Sequence, residues 1–381
     1  MIKKLFSIIG IFILLVNFTG CWDYRDINKK NILLAVGLDY TDKKYRFVIE
    51  TAQIRVLQKE AVGQKELTKL TLAEGKTYAE ARRELEHRNA FPVFLGTVRV
   101  IIFDKDAAEK GIEDYINRIK KIQGYRKTTL VVVSKQKTDK ILSVKPNNDV
   151  TAAFMVNNIV ENVDKVGYDI SKSTGDILSD IAMKKIGYVL PYIEVKEGVL
   201  HYAGAAVMKD SKMIGMLDAD DKAFRGLSYI LAEHPKAINV VSHPEDEKDL
   251  LYFDTKAKKS IKTDYKDGKI IIDVNLKASS KIKFQYYVKP PITDKVKFEL
   301  EQAISDDIKN EIEIAIKRSQ DEFKIDIMNF AKYFRAQNPK IYKKIDWIKE
   351  YPLAQINVKV DTKINNLGTT DSKAKGVFEG E

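Results

Sequence analysis

Cys21 is the one cysteine in a chain of 381 residues. It stands where a greasy stretch turns abruptly polar, in LLVNFTGCWDYRD from Leu14 to Asp26. A catalytic or metal-binding thiol works with partners, and no second cysteine exists to supply a ligand pair or a disulfide. The other candidates for chemistry are sparse. His234 and His243 both precede proline in EHPKAINVVSHPEDE, with Asp246 close enough in sequence to join them on a metal. Two His-Pro turns on the surface are the commoner arrangement and the reading adopted. Asp218–Asp221 reads DADD, but the glycine and bidentate glutamate of a calcium loop are missing from their positions, so a solvated turn is expected. Glu194 and Glu197 are paired carboxylates with nothing to set their roles apart, and His87 and His201 have no obvious partners. There is no phosphate-cradling glycine loop, no GxSxG elbow and no HExxH helix. The residues therefore predict no enzyme, no cofactor and no metal site.

Cys21 has a different use. Lys3 and Lys4 make a short basic start, and Leu5 to Val16 is an apolar run of signal-peptide length. It falls short of the roughly 20 apolar residues of a spanning helix. Small Thr19 and Gly20 precede the cysteine. This resembles a bacterial lipobox, in which the thiol receives diacylglycerol and the chain is cut just before it; Phe18 departs from the usual leucine. Lipidation at Cys21 is the expectation, with residues 1–20 as the signal peptide. No later apolar stretch approaches membrane-spanning length, so the exported body is expected to be soluble.

Lys+Arg number 65 against Asp+Glu 54, a formal net charge of +11. The basic residues are dispersed among acids, without the aromatic-interleaved clusters that stack bases, so no nucleic-acid partner is expected. A lysine-rich solvated surface, near anionic headgroups in an exported protein, accounts for the balance. At 43.5 kDa and 44% hydrophobic residues the chain has enough material for two to three domains.

The elements that must position any site follow from periodicity. Ile32–Asp39 and Tyr45–Ile54 read as a hairpin around Asp42-Lys43-Lys44, and Arg55 to Lys76 as a loop. Thr77 with Glu80 three residues on has capping-box spacing for a helix over Thr77–Arg88. Val93–Phe103 is expected as one strand, KDAAEKGIEDYINRIKKI as one helix and Thr128–Lys135 as a buried strand. Leu200–Lys209 and Lys212–Leu217 form a tight hairpin, INVVSH and KIIIDVNLKA are strands, and Ile356, Val358 and Val360 alternate in a last one. After Pro290-Pro291, Leu300, Ile304, Ile308, Ile312 and Ile316 mark an amphipathic helix. Further helices fit Phe323–Phe334 and Tyr342–Ile348, with Trp347 expected to be buried. The fold class is α+β, multidomain, with mixed or antiparallel sheets and packed helices, since no βαβ rhythm is visible. The divisions are a domain over 21–195, a second over 196–368 that is open to a split near 290, and a disordered tail over 369–381.

The order of several segments resembles one family. CWDYRDIN and VGLDYTDKKYRFVIETAQI, then GKTYAEARRELEHR, FLGTVRVIIFDKDAAEKGIEDYINRIKK and LHYAGAAVMKDSKMIGML, are similar to the spore germination lipoproteins, the C-type subunits of nutrient-germinant receptors. The closing stretch resembles the family signature through Gln320, Asp326, Pro339, Trp347, Val358, Val360 and Gly368. Thr97, where histidine is common, and Met216, where tryptophan is common, depart from it. The resemblance implies a lipid-anchored subunit on the outer face of the spore's inner membrane, beside an integral A-type and a multi-span B-type subunit, with no known enzymatic activity. Trp22, Asp23 and Arg25 form the expected patch for membrane or partner contact, a plain spacer being the alternative. The rival functions are a solute-binding lipoprotein, which needs two lobes of repeated βαβ units, and a lipid-anchored cell-wall enzyme, which lacks a catalytic constellation.

Overall fold

A computed structural model describes residues 30–53, 67–122, 124–145, 149–168, 170–285 and 292–366. Cys21, Trp22, Asp23, Arg25, the signal segment and the expected tail lie outside these residues. β1 (Asn31–Thr41) and β2 (Lys44–Ala52) form the expected hairpin. Its two turn residues, Asp42 and Lys43, take φ of 51° and 59°, as the twist-matched hairpin turns require. β3 (Thr68–Gly75) then pairs with β2, so part of the expected loop is an edge strand. α1 (Tyr78–Arg88) follows. Thr77 Oγ1 accepts from the Glu80 N–H at 3.2 Å, while the Glu80 carboxylate reaches the N–H of Lys76, at 2.9 Å.

The expected strand over Val93–Phe103 is broken into β4 (Val93–Phe94), a 3₁₀ turn and β5 (Val100–Asp104). Within that turn the Thr97 hydroxyl donates to the Leu33 carbonyl at 2.8 Å. The expected single helix is likewise two, α2 (Lys105–Lys110) and α3 (Glu113–Lys121), divided at Gly111 with φ 127°. β6 (Leu130–Ser134), α4 (Thr138–Leu142), α5 (Ala152–Lys165), α6 (Thr174–Met183) and β7 (Gly187–Lys196) complete the first half. β8 (Val199–Lys209) and β9 (Lys212–Asp218) are the expected hairpin.

These strands make one sheet in the order β3-β2-β1-β5-β6-β7-β8-β9, with β4 beside β1. β1, β5, β6 and β7 run parallel, with helical crossovers from β5 to β6 and from β6 to β7. The α+β class with mixed sheets holds, but the expected absence of βαβ units does not. It is the one run of more than two parallel strands among the described residues, so no second such lobe is present there. Pro191 lies inside β7; β6 joins that strand only from Tyr192 onward, so the missing N–H falls before β7 gains its second neighbour. The turn at Glu197-Gly198, where the sequence suggested a domain boundary, connects two strands of this same sheet.

A second sheet has the order β10-β11-β12-β13: β10 (Lys236–His243), β11 (Asp246–Lys266), β12 (Lys269–Gln285) and β13 (Gln355–Asn366). β11 was not expected. β13 returns parallel to β12. Between the sheets come α7 (Lys222–Leu231) and α8 (Asp294–Lys317). All five α8 residues picked by spacing are buried. A π-turn (Arg318–Glu322), α9 (Phe330–Gln337), α10 (Pro339–Tyr342) and α11 (Trp347–Glu350) lead into β13. The helix expected from Phe323 begins only at Phe330.

The large sheet is covered on both faces, as a parallel sheet requires. One face packs against α1, α2, α3 and α6 through Leu85, Ala108, Ile116 and Ile177. The other packs on α4 and α5 and is continuous with the core around α8 and the second sheet. Among the described residues no helix is long and apolar enough to cross a membrane.

Candidate functional site

An apolar concavity lies on the α1–α3 face of the large sheet. A β-bulge in β1 between Leu33 and Ala35 shifts the side-chain alternation. Leu33 and Val36, three apart, therefore reach the same face, where Phe47 and Ile49 of β2 join them. α1 supplies Arg82, Leu85 and Glu86, and α3 supplies Tyr115 and Arg118. Together with the Asn89–Val93 loop they enclose a cavity of about 430 Å³. The loop is pinned to the start of β1: Asn31 Nδ2 donates to Asn89 Oδ1 at 3.1 Å and to the Phe91 carbonyl at 2.9 Å, and the Asn31 N–H donates to Pro92 O at 3.0 Å. Phe47, Tyr78, Tyr115 and Phe103 form a chain of ring contacts beside the cavity, with centroids 5.8–6.0 Å apart.

The walls are apolar but the cavity is not uncharged. Arg82 is held by Glu86 at 2.7 Å, one helical turn on, and both are about half exposed. Arg118 is partly buried, and its guanidinium makes no hydrogen bond or ion pair among the described residues. Burial first, and the neighbouring Arg82 second, lower its guanidinium from the ordinary range. The Tyr115 and Tyr125 hydroxyls pair at 2.8 Å. Burial holds both phenols above the usual range, Tyr115 the more strongly.

A second polar cluster sits at the carboxyl ends of the parallel strands, the edge where open α/β sheets commonly bind ligands. Here Asp39 at the end of β1 accepts from Arg46 at 2.7 Å and from the Thr138 N–H at 2.8 Å. Asp104 at the end of β5 accepts the Ala107 N–H at 2.8 Å and the ammonium of Lys137, which also meets Asp106 at 2.6 Å. Burial raises the Asp104 carboxyl to about 6, against the pull of Lys137 and the Ala107 N–H. Each of these groups is already satisfied internally: Asp104 caps the helix that follows its strand, and Asp39 tethers the start of α4, which follows β6.

The histidines and acids noted in the sequence are not brought together. His243 is buried, correcting the expected surface turn; its Nδ1 accepts from the Glu245 N–H at 3.2 Å. His234 is exposed. Asp221 caps α7, accepting the Ala223 N–H at 2.8 Å, and pairs with Arg318, so DADD is, as expected, a turn, here leading from β9 into α7. Glu194 pairs with Lys135 at 2.6 Å, away from Glu197 in the turn. Among the described residues no group of three or more His, Cys, Asp or Glu could hold a metal ion.

The closing signature is a structural knot. Gln320 Nε2 donates to the carbonyls of Tyr351 at 3.0 Å and Ala354 at 2.9 Å. The buried Asp326 carboxylate accepts the N–H groups of Met328, Phe330 and Ala331 at 3.0, 3.1 and 2.7 Å. Trp347 is fully buried, as expected, with Phe334 and Tyr351 at 5.2 and 6.0 Å. The knot is tied to the large sheet by the Gly187 N–H donating to Asp326 O at 2.9 Å, and to α6 by Lys332 meeting Asp180 at 2.9 Å. Sequence spacing did not reveal the cavity: simple strand alternation puts Leu33 and Val36 on opposite faces.

Comparison with known proteins supplies what geometry alone does not. Residues 23–195 match the family described as "Spore germination protein N-terminal domain", and residues 203–368 match "Spore germination B3/ GerAC like, C-terminal". Spore germination protein A3 of Bacillus subtilis (strain 168) is 24% identical over 95% of this chain and 98% of its own length. Spore germination protein KC of the same organism is 24% identical over the whole of both chains, and spore germination protein YndF is 22% identical over 97% and 98%. The crystal structure of the GerBC protein shares the fold, with a TM-score of 0.59 and 16% identity over 87% of this chain and 97% of that one.

Proposed function

The chain belongs to the GerAC/GerBC-type family of spore germination proteins, and on that premise we propose that it is the lipid-anchored C-type subunit of a spore nutrient-germinant receptor. It acts in receptor assembly and germinant signalling at the outer face of the spore inner membrane, beside the integral A-type and B-type subunits. The observation that carries this reading is the pair of family matches, which follow one another in order from residue 23 to residue 368.

In this reading the signal is cut before Cys21 and diacylglycerol on its sulfur holds the body at the bilayer. Two acyl chains hold firmly where one gives only marginal binding. The ten residues from Trp22 to Asn31 reach at most roughly 35 Å when extended. The cavity loop and the start of β1 then stay close to the headgroups, and tethering raises the effective concentration of the body near the membrane subunits. Trp22 suits the headgroup layer, where an indole finds both apolar and polar surroundings; Asp23 and Arg25 meet a partner subunit or orient β1.

Replacing Trp22, Asp23 and Arg25 together with Ser and Gly tests the contact patch. The variant is expected to keep its melting temperature but to lose co-purification with the A-type and B-type subunits and to germinate slowly. Normal receptor recovery and normal germination would remove any role for the three residues beyond that of a spacer.

A further inference from the structure

The Arg118 guanidinium has no hydrogen-bonded or ion-paired counterion among the described residues. It lines the apolar cavity between β1, β2, α1 and α3. Of the charged side chains that act on it, Arg82 has the same sign and the larger effect, and Glu86, which is itself paired with Arg82, has the opposite sign and a smaller one. A guanidinium partly withdrawn from water is offset when an anion meets it, and its planar fork matches a carboxylate with two parallel hydrogen bonds. The remaining walls offer hydrocarbon: Leu33, Val36, Ile49 and Leu85. At about 430 Å³ the space falls within the range of small-molecule sites, roughly 300–1,000 Å³. Glu86 on the rim, already paired with Arg82, disfavours a second negative charge on the ligand.

We propose that this cavity binds a small monocarboxylate with an apolar body, its carboxylate on Arg118 and its hydrocarbon against Leu33, Val36 and Ile49. The bulge in β1 is what makes the site, since it turns Leu33 and Val36 to one wall. The inference does not require membrane attachment or partner subunits, so its failure would leave the receptor-subunit reading untouched.

Hexanoate and its neutral counterpart 1-hexanol are the probes, titrated into the purified full chain in phosphatidylcholine nanodiscs, with empty nanodiscs as the blank. Hexanoate is expected to bind saturably at one site, and hexanol at least roughly tenfold more weakly, the difference a charge-assisted hydrogen bond provides. Arg118→Gln should weaken hexanoate by roughly tenfold, leave hexanol unchanged and leave the melting temperature unchanged. Ala90→Trp, at an exposed position of the mouth, should exclude both probes, and it decides the matter if Arg118→Gln does not fold. The inference is overturned if hexanoate shows no saturable binding, if hexanol binds equally well, or if hexanoate binds both variants as it binds the parent.

Discussion

Asp326 shows how a single side chain can carry a recognisable sequence signature without carrying chemistry. Its carboxylate is buried at the start of α9, where three backbone N–H groups converge on it. Burial raises the carboxyl to about 6, and the three donors oppose that rise. Because the folded-state value lies above the unfolded one, the group favours folding when protonated. That contribution is complete below about pH 4 and is lost as the pH rises through about 6. Lowering the pH from 7.5 to 5 should therefore raise unfolding stability by about 1 kcal/mol through this residue. Urea unfolding of the parent and of Asp326→Asn at both pH values checks it. The variant should lose that increment, and an unchanged pH response would show that Asp326 ionises in the fold as it does in the unfolded chain. At this scale the sequence was partly legible. Trp347, flanked by Ile345 and Ile348 beside a final strand, could be placed in the core. Asp326 could not be recognised as the acceptor for the first N–H groups of α9, because that helix starts seven residues later than the sequence suggests. Cys21, Trp22, Asp23 and Arg25 rest on local pattern and resemblance, and they lie outside the described residues.

Elements with strong apolar periodicity were read correctly, and those whose burial depends on a neighbour were not. α8 shows its four-residue repeat openly. β11 hides its period because its inward positions include Asp249 and Thr255, and lysines fill much of the rest. β3 is an edge strand in which only Ala73 is buried, so it resembles a polar loop. The parallel run β1-β5-β6-β7 was missed because its crossovers are broken into short helices, as at Gly111. The approach of α7 to α8 also depends on tertiary packing. A Cβ on Gly226 would lie 2.0 Å from the Glu311 carbonyl oxygen on the facing helix. Gly→Ala in a helix interior is worth up to ~1 kcal/mol in propensity, but such a contact forces the two helices apart at a cost of about 1–3 kcal/mol or more. Gly226→Ala is therefore expected to be destabilising on balance, and a lowered midpoint in chemical denaturation checks it. An equal or raised midpoint would mean that the α7–α8 crossing is looser than described.

At the scale of the whole molecule, the two sheets share one continuous core through α5, α7 and α8, and the signature knot clamps the last helices to β7 and α6. In the proposed reading, such a body offers its partners a preformed surface and leaves position at the membrane to an N-terminal tether. This division of labour is the central claim: the fold supplies the shape, and a lipid on Cys21 supplies the location. Intact-mass measurement of the protein recovered from spore inner membranes tests it most directly. The account predicts a chain that begins at Cys21 and carries diacylglycerol on its sulfur. A chain that begins elsewhere, or a free thiol at Cys21, would contradict it.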